Sequence, residues 1–154
     1  MKMTKRSVLC LLMALVLMAG LAACTAKEEP AGEPEFSADE MIGVWADNVA
    51  GRATIEIAPA EEAGRYAILV SWGNSAFETY QWTMTAAPTE NNVLYYDDCV
   101  KTIVSLPETE GEEEKIEEVY TGGHGQFVLL STNEIQWTDD IEDAAGDLLF
   151  ISAK

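Results

Sequence analysis

Basic residues are scarce in this sequence, with nine Lys and Arg against 27 Asp and Glu in 154 residues. Three of the nine lie in the first 23 residues, which contain no acid, so the chain from residue 24 onward has a net charge of −21. This charge excludes nucleic acid as a partner, because phosphates need a basic surface. It also argues against attachment to an anionic membrane by charge alone.

Histidine and cysteine, which build many catalytic and metal sites, are almost absent. With Cys10 in the predicted signal and Cys24 in the predicted lipid anchor, one His and one free Cys remain, and these cannot form a zinc site. The chain contains no Gly-x-Ser-x-Gly, no Walker loop and no Gly-x-Gly-x-x-Gly. His124 stands between glycines that predict a hairpin turn, where a general base would be poorly fixed. We therefore expect a protein that is not an enzyme and that has no cofactor.

The first 23 residues have the features of an export signal. Three bases precede an apolar run over residues 8–19, which is long enough for a signal peptide and short for a membrane-spanning helix. The following Leu-Ala-Ala-Cys, at residues 21–24, resembles a bacterial lipobox. The resemblance implies cleavage before Cys24 and a diacylglyceryl thioether on its sulfur. An ordinary secretory signal and an uncleaved anchor are the alternatives.

These features predict a lipoprotein signal peptide over residues 1–23, a lipidated tether over 24–35 and a domain over 36–154. The tether is polar and contains Pro30, Gly32 and Pro34, as linkers do. Two or three acyl chains on Cys24 would hold the protein on a bilayer, whereas one chain binds only marginally. We expect a monomer held by this lipid on the extracytoplasmic face of the bacterial cell membrane.

Cys99 has no disulfide partner once Cys10 leaves with the signal and Cys24 is lipidated. Such a residue is either a reactive thiol or a small, buried apolar side chain. No base precedes Lys101 in this part of the chain to activate the thiol, so burial is the favoured alternative.

Beyond a short helix, the domain has the alternation of β-strands. Ser37 and Glu40 form a capping-box pattern, and Gly43 ends the helix after about one turn. Apolar residues then recur at every second position. The glycines at 122–125 predict a hairpin turn. The pattern predicts eight or nine antiparallel strands, which cover residues 52–58, 65–72, 77–85, 93–106, 116–121, 126–131, the segment around 135–137, and 148–151.

Short turns between consecutive strands favour an all-β, antiparallel up-and-down barrel of about eight strands, because closure removes exposed sheet edges. A sandwich is the alternative. Gly43-Val44-Trp45 after a short helix resembles the Gly-x-Trp entry of lipocalin-like, or calycin, barrels, in which the Trp plugs one end.

A wider set of residues spans nearly the whole domain and resembles a group of uncharacterised lipoproteins from Gram-positive gut bacteria. This resemblance implies no known activity. The set comprises Gly43-x-Trp45, Arg52, Trp72-Gly73-x-Ser75-Ala76, Trp82, Gly123-x-Gly125-x-Phe127, Trp137-x-Asp139 and Phe150.

Acidic clusters are abundant, and most of them predict solvated surface. The cluster around Gly146 is a weak candidate for Ca²⁺, because oxygen ligands on a flexible loop suit this ion. It lacks the Asp-x-Asp-x-Asp-Gly spacing, so we expect no metal. Its members are Asp139, Asp140, Glu142, Asp143 and Asp147.

Large aromatic residues fall on separate predicted strands. They either line a cavity mouth, where they stack on a sugar ring or cover an apolar ligand, or fill a small barrel whose interior holds only side chains. The candidate ligand-binding residues are Trp45, Arg52, Trp72, Trp82, Tyr96 and Trp137.

Three functions follow from these alternatives. The first is a non-enzymatic binding domain for a small apolar or sugar-like ligand, at the barrel end near Trp45. The second is an interaction or inhibitor module whose acidic face engages a basic protein partner. The third, which is less favoured, is an enzyme that uses carboxylates.

Overall fold

A computed structural model describes residues 36–153 of the chain. The predicted signal segment over residues 1–23, the lipidated Cys24 and the tether over 24–35 lie outside the described residues. Between residues 36 and 153, no helix is long and apolar enough to cross a membrane.

Six of the eight strands lie close to where the period-two alternation predicts them, whereas the strand Gly43–Asp47 was not predicted and Lys115–Ser131 covers two predicted strands. A single 3-10 helix comes first, and eight strands follow it. The helix is Ala38–Met41, and the strands are β1 (Gly43–Asp47), β2 (Ala53–Pro59), β3 (Tyr66–Gly73), β4 (Glu78–Glu90), β5 (Val93–Ser105), β6 (Lys115–Ser131), β7 (Glu134–Asp139) and β8 (Leu149–Ser152).

The sheet closes on itself. Each strand pairs antiparallel with the next, and β1 pairs with β8 opposite Ala46 and Ile151. Closure gives every strand two neighbours and leaves no edge. The predicted all-β class and up-and-down barrel are therefore confirmed, the sandwich alternative is excluded, and the architecture is compatible with a lipocalin-like fold.

The interior is filled by the apolar residues of the alternating positions. In β2, for example, Ala53, Ile55 and Ile57 are buried while the intervening residues face outward or are half-buried. Cys99 is buried as predicted, and this burial raises the pKa of its thiol to about 12. The largest fully buried side chains are Trp45, Trp137, Tyr96, Phe127, Phe150, Met41, Ile55, Leu94, Leu129, Ile135 and Val70.

The 3-10 helix packs at one end of the barrel, which we call the helix end. The Ser37 side chain accepts from the Asp39 backbone N–H, and Glu40 accepts from the Ser37 N–H, so the predicted capping box is confirmed. Met41 is fully buried, and its carbonyl accepts a hydrogen bond of 2.8 Å from the Trp45 indole N–H. These contacts close the helix end with side chains.

The predicted hairpin turn at residues 122–125 is wrong, because β6 runs without a break from Lys115 to Ser131. Gly123 and Gly125 face the interior in phase with the buried Phe127. A Cβ at Gly123 would lie 2.8 Å from the Tyr120 ring. The glycines therefore make room for aromatic rings inside the barrel, and His124 between them faces outward in mid-strand.

Candidate ligand-binding site

The end of the barrel opposite the helix, which we call the mouth, is built from two rows of inward-facing residues. Residues directly opposite one another on antiparallel strands project from the same face of the sheet. The deeper row contains Ile55, Val70, Trp82, Lys101 and Tyr120 across β2 to β6, and the row nearer the mouth contains Ala53, Trp72, Tyr80 and Ile103.

A pocket of about 230 Å³ lies at this mouth. Its walls combine aromatic rings with charged groups, a composition that is common in sites for small ligands with both apolar and polar faces. The aromatic residues are Trp72, Tyr80 and Trp82, the charged residues are Arg52, Lys101 and Glu142, and the lining is completed by Gly73, Asn74 and Ala144.

Lys101 is the unusual residue of the pocket, because it is a basic residue in an interior row. It is 8% exposed, and its ammonium forms an ion pair with Glu142. Its Nζ also lies 4.8 Å from the centroid of the Tyr80 ring and 4.7 Å from that of Trp82. A buried ammonium without partners costs several kcal/mol, so the carboxylate and the rings together permit a charge at this depth.

A hydrogen-bonded chain beneath Lys101 connects the pocket floor to the loop after β7. The Trp82 indole N–H donates to the Tyr120 hydroxyl at 3.0 Å, and this hydroxyl donates to the Asp139 carboxylate at 3.3 Å. Burial and the Asp139 charge both raise the pKa of Tyr120, so the phenol stays protonated. Asp139 also accepts from the Ile141 N–H at 3.1 Å, which fixes the start of the loop that carries Glu142.

Asp47 organises the loop between β1 and β2, which ends at Arg52. One oxygen of its carboxylate accepts from the three backbone N–H groups of residues 49–51 at 2.6–3.0 Å, and the other accepts from Ala53 at 2.8 Å. Burial raises the pKa of Asp47, but these four donors outweigh it and hold the pKa well below its ordinary value. The main chain on both sides of Arg52 is therefore held in place.

Three of the six candidate residues line the pocket, namely Arg52, Trp72 and Trp82. Trp137 and Tyr96 lie deeper in the core, where the Trp137 indole N–H donates to the Tyr96 hydroxyl at 3.0 Å. The Trp137 ring touches the underside of the pocket, since its centroid is 5.3 Å from that of Trp82. Trp45 is buried at the helix end and is not part of this site.

The structure does not assemble the weak Ca²⁺ candidate into a metal site. Within residues 36–153, no group of three or more His, Cys, Asp or Glu side chains is placed to hold a metal ion. Of the five loop residues, Asp139 accepts from Tyr120 and a backbone N–H, Glu142 pairs with Lys101, and Asp140 lies 3.8 Å from His124.

Tyr80 and Lys101 belong to the site, although neither was among the candidate residues. Tyr80 alternates with Trp82 on β4, so the pattern that selects Trp82 also places Tyr80 inward. The signal for Lys101 was weaker: it is the single base in the run 93–106 and stands two residues after Cys99, the predicted buried residue. This phase places Lys101 on the inner face.

The pocket must be interpreted from its own residues, because neither a protein-family model nor a curated protein nor a solved structure matches this chain.

Proposed function

We propose that this protein is a lipid-anchored, non-enzymatic binding domain that holds a small, sugar-like ligand in the pocket at the mouth. The observation that carries the proposal is the convergence of Trp72, Tyr80 and Trp82 with three charged side chains on one concave surface. Aromatic faces stack on the apolar faces of sugar rings, and charged groups around them bind hydroxyls.

The size of the pocket favours a small ligand. Its volume of about 230 Å³ lies below the range of roughly 300–1,000 Å³ that is usual for sites of drug-sized molecules. The core beneath it is filled by large side chains such as Trp137 and Phe127. A ligand that enters the barrel would displace them, so a polar ring held at the mouth fits better than a long apolar molecule.

Anchoring to the extracytoplasmic face of a membrane is supported by the sequence of the first 24 residues. The order of basic segment, apolar run, lipobox and polar tether is typical of bacterial lipoproteins. In this arrangement the lipid on Cys24 opposes the repulsion between an acidic domain and an anionic bilayer. The pocket then lies on the extracytoplasmic side of the membrane.

The ligand proposal predicts that Trp72→Ala lowers the affinity for a bound monosaccharide about two- to tenfold, because a stacked ring contributes roughly 0.5–1.5 kcal/mol. Native mass spectrometry of the chain from Thr25, mixed with a panel of monosaccharides, measures the adducts. Tyr95→Ala is the control, since Tyr95 is an exposed ring on the outer surface. A wild-type chain without adducts, or equal losses in both variants, would contradict the proposal.

The anchoring proposal predicts that Cys24→Ala abolishes incorporation of labelled fatty acid and leaves an uncleaved precursor. The thioether needs the Cys24 sulfur, and cleavage of a lipoprotein signal follows lipidation. Metabolic labelling with electrophoresis checks both effects, and Cys99→Ala is the matched control. Continued labelling of the Cys24→Ala variant would overturn this part of the proposal.

The acidic surface keeps a protein-interaction module as the second candidate. Residues 36–153 contain 23 Asp and Glu but four Lys and Arg, a charge that would speed the encounter with a basic partner. The aromatic pocket has no role in that function. A partner that binds equally well to wild type and Trp72→Ala would favour it.

A further inference from the structure

The few basic residues of the domain are distributed unevenly over its surface. Two of the four in residues 36–153, Arg52 and Lys101, line the same pocket. The other two lie near acids on the surface: Arg65 is 3.9 Å from Glu62, and Lys115 is 3.7 Å from Glu117. The pocket is therefore a local concentration of positive charge in an acidic domain.

Arg52 differs from the other three bases because it has no ion-pair partner. Lys101 pairs with Glu142, whereas no carboxylate of the described residues lies within ion-pair distance of the Arg52 side chain. The side chain of Arg52 is exposed at the edge of the pocket. Its guanidinium is free to bind an oxyanion from solution.

The backbone around Arg52 is fixed before any ligand arrives. Its carbonyl accepts from the Gly73 N–H at 2.9 Å, which ties it to the strand that carries Trp72. The neighbouring Ala53 is fully buried, and its N–H donates to Asp47 at 2.8 Å. Binding at Arg52 therefore orders one side chain, and the position of that side chain relative to Trp72 is set by the fold.

The negative charge of the surrounding surface favours a small anion over a large polyanion as the ligand. A polyanion would lie over many of the 23 carboxylates of residues 36–153, and like charges repel it. A small molecule with one carboxylate contacts only the pocket, where the two cations Arg52 and Lys101 lie with a single acid, Glu142. An anion of this kind is attracted locally, while a large polyanion is excluded.

We propose that the ligand is a sugar ring that carries one carboxylate, with the carboxylate on the Arg52 guanidinium and the ring against Trp72 and Tyr80. The guanidinium presents two parallel N–H donors that match a carboxylate. This inference rests on the proposed function and specifies its ligand class.

The test compares D-glucuronate, D-glucose and acetate as probes for the full chain in mild detergent, with dissociation constants measured by ligand-observed NMR. We expect D-glucuronate to bind about tenfold or more tightly than D-glucose, because a charge-assisted pair is added. Arg52→Met should reduce this ratio to about one, because it removes the guanidinium that pairs with the carboxylate of D-glucuronate. Arg65→Met, at the helix end, is the matched control and should keep the wild-type ratio.

The outcomes separate this inference from the proposed function. Equal affinities of wild type for D-glucose and D-glucuronate, both weakened in Trp72→Ala, would overturn the acidic ligand and keep the sugar site. A preference for D-glucuronate that survives Arg52→Met would overturn the role of Arg52. Acetate that binds as tightly as D-glucuronate would overturn the sugar ring, and absence of D-glucuronate binding would overturn the inference as a whole.

Discussion

Replacing Gly125 with alanine is expected to lower the free energy of unfolding by about 3 kcal/mol or more. A Cβ at this inward position would overlap the Thr138 carbonyl oxygen and lie 2.5 Å from the Tyr96 hydroxyl. Neither neighbour moves easily: the first is backbone, and the second accepts from Trp137 at 3.0 Å and donates to Thr138 at 3.2 Å. Domains are stable by about 5–15 kcal/mol, so this is a large share.

Gly73→Ala is the matched control for this prediction, because Gly73 also lies in a strand of the barrel and does not have a left-handed backbone. The nearest atom to its Cβ would be the Arg52 carbonyl oxygen at 3.8 Å, an ordinary contact. Its effect should stay within about 0.5 kcal/mol. Urea unfolding followed by tryptophan fluorescence measures both variants, and similar losses would show that the close packing at Gly125 is unimportant.

Asp47→Asn is expected to destabilise the domain by about 2–4 kcal/mol at pH 7. The buried carboxylate accepts four backbone hydrogen bonds. An amide at this position has a single acceptor oxygen and no charge, so several of the N–H groups would be left without a full partner. The loop that carries Arg52 would lose its internal support.

The effect of Asp47→Asn should depend on pH with a definite sign. The pKa of Asp47 is lower in the folded than in the unfolded state, so the charged form stabilises the fold above the unfolded value near 3.9. That stability is lost as the pH falls below about 4 toward the folded pKa. The difference between wild type and Asp47→Asn should therefore shrink over this interval.

Asp97→Asn controls for the general effect of removing one acid, because Asp97 is exposed on β5. Chemical unfolding at pH 7 and at several values below 4 measures the three proteins. A constant difference between wild type and Asp47→Asn across this range would show that the four hydrogen bonds do not depend on the charge of Asp47.

The strands and the helix could be predicted because their signals are local. The alternation of Ala53, Ile55 and Ile57 identifies the buried face of β2 without reference to any other strand. The Ser37 and Glu40 capping box likewise acts within one turn. Closure was favoured on general grounds, since an up-and-down sheet of this length otherwise leaves two edges.

The glycine run at 122–125 was misinterpreted because its meaning depends on another strand. Glycines permit a tight turn, and they also permit close packing of a ring against the backbone. The choice is made by Tyr96 and Cys99 on β5 and by Tyr120, which occupy the space that side chains at Gly123 and Gly125 would need. The local sequence pattern does not predict which residues of the neighbouring strand will lie opposite these glycines.

The sequence predicted that aromatic residues and Arg52 form the site, but it identified only some of the residues that line the pocket. Arg52, Trp72 and Trp82 meet at the mouth, but Lys101 faces inward because β5 contains an extra residue between Tyr96 and Cys99 relative to β6. This irregularity shifts the alternation by one, and the Asp98 carboxylate accepts the Thr85 N–H at 2.9 Å beside it. A bulge of this kind re-aims the side chains that follow it.

The sequence by itself therefore determined the all-β class, the inward-facing residues of most strands and the helix cap, because each depends on neighbours within a few positions. The tertiary structure alone decided the pocket. Lys101 forms an ion pair with Glu142 across 41 residues, and the pairing of β2 with β3 places Trp72 opposite Ala53, next to Arg52. Such contacts depend on strand register and closure, which are properties of the whole barrel and not of any segment.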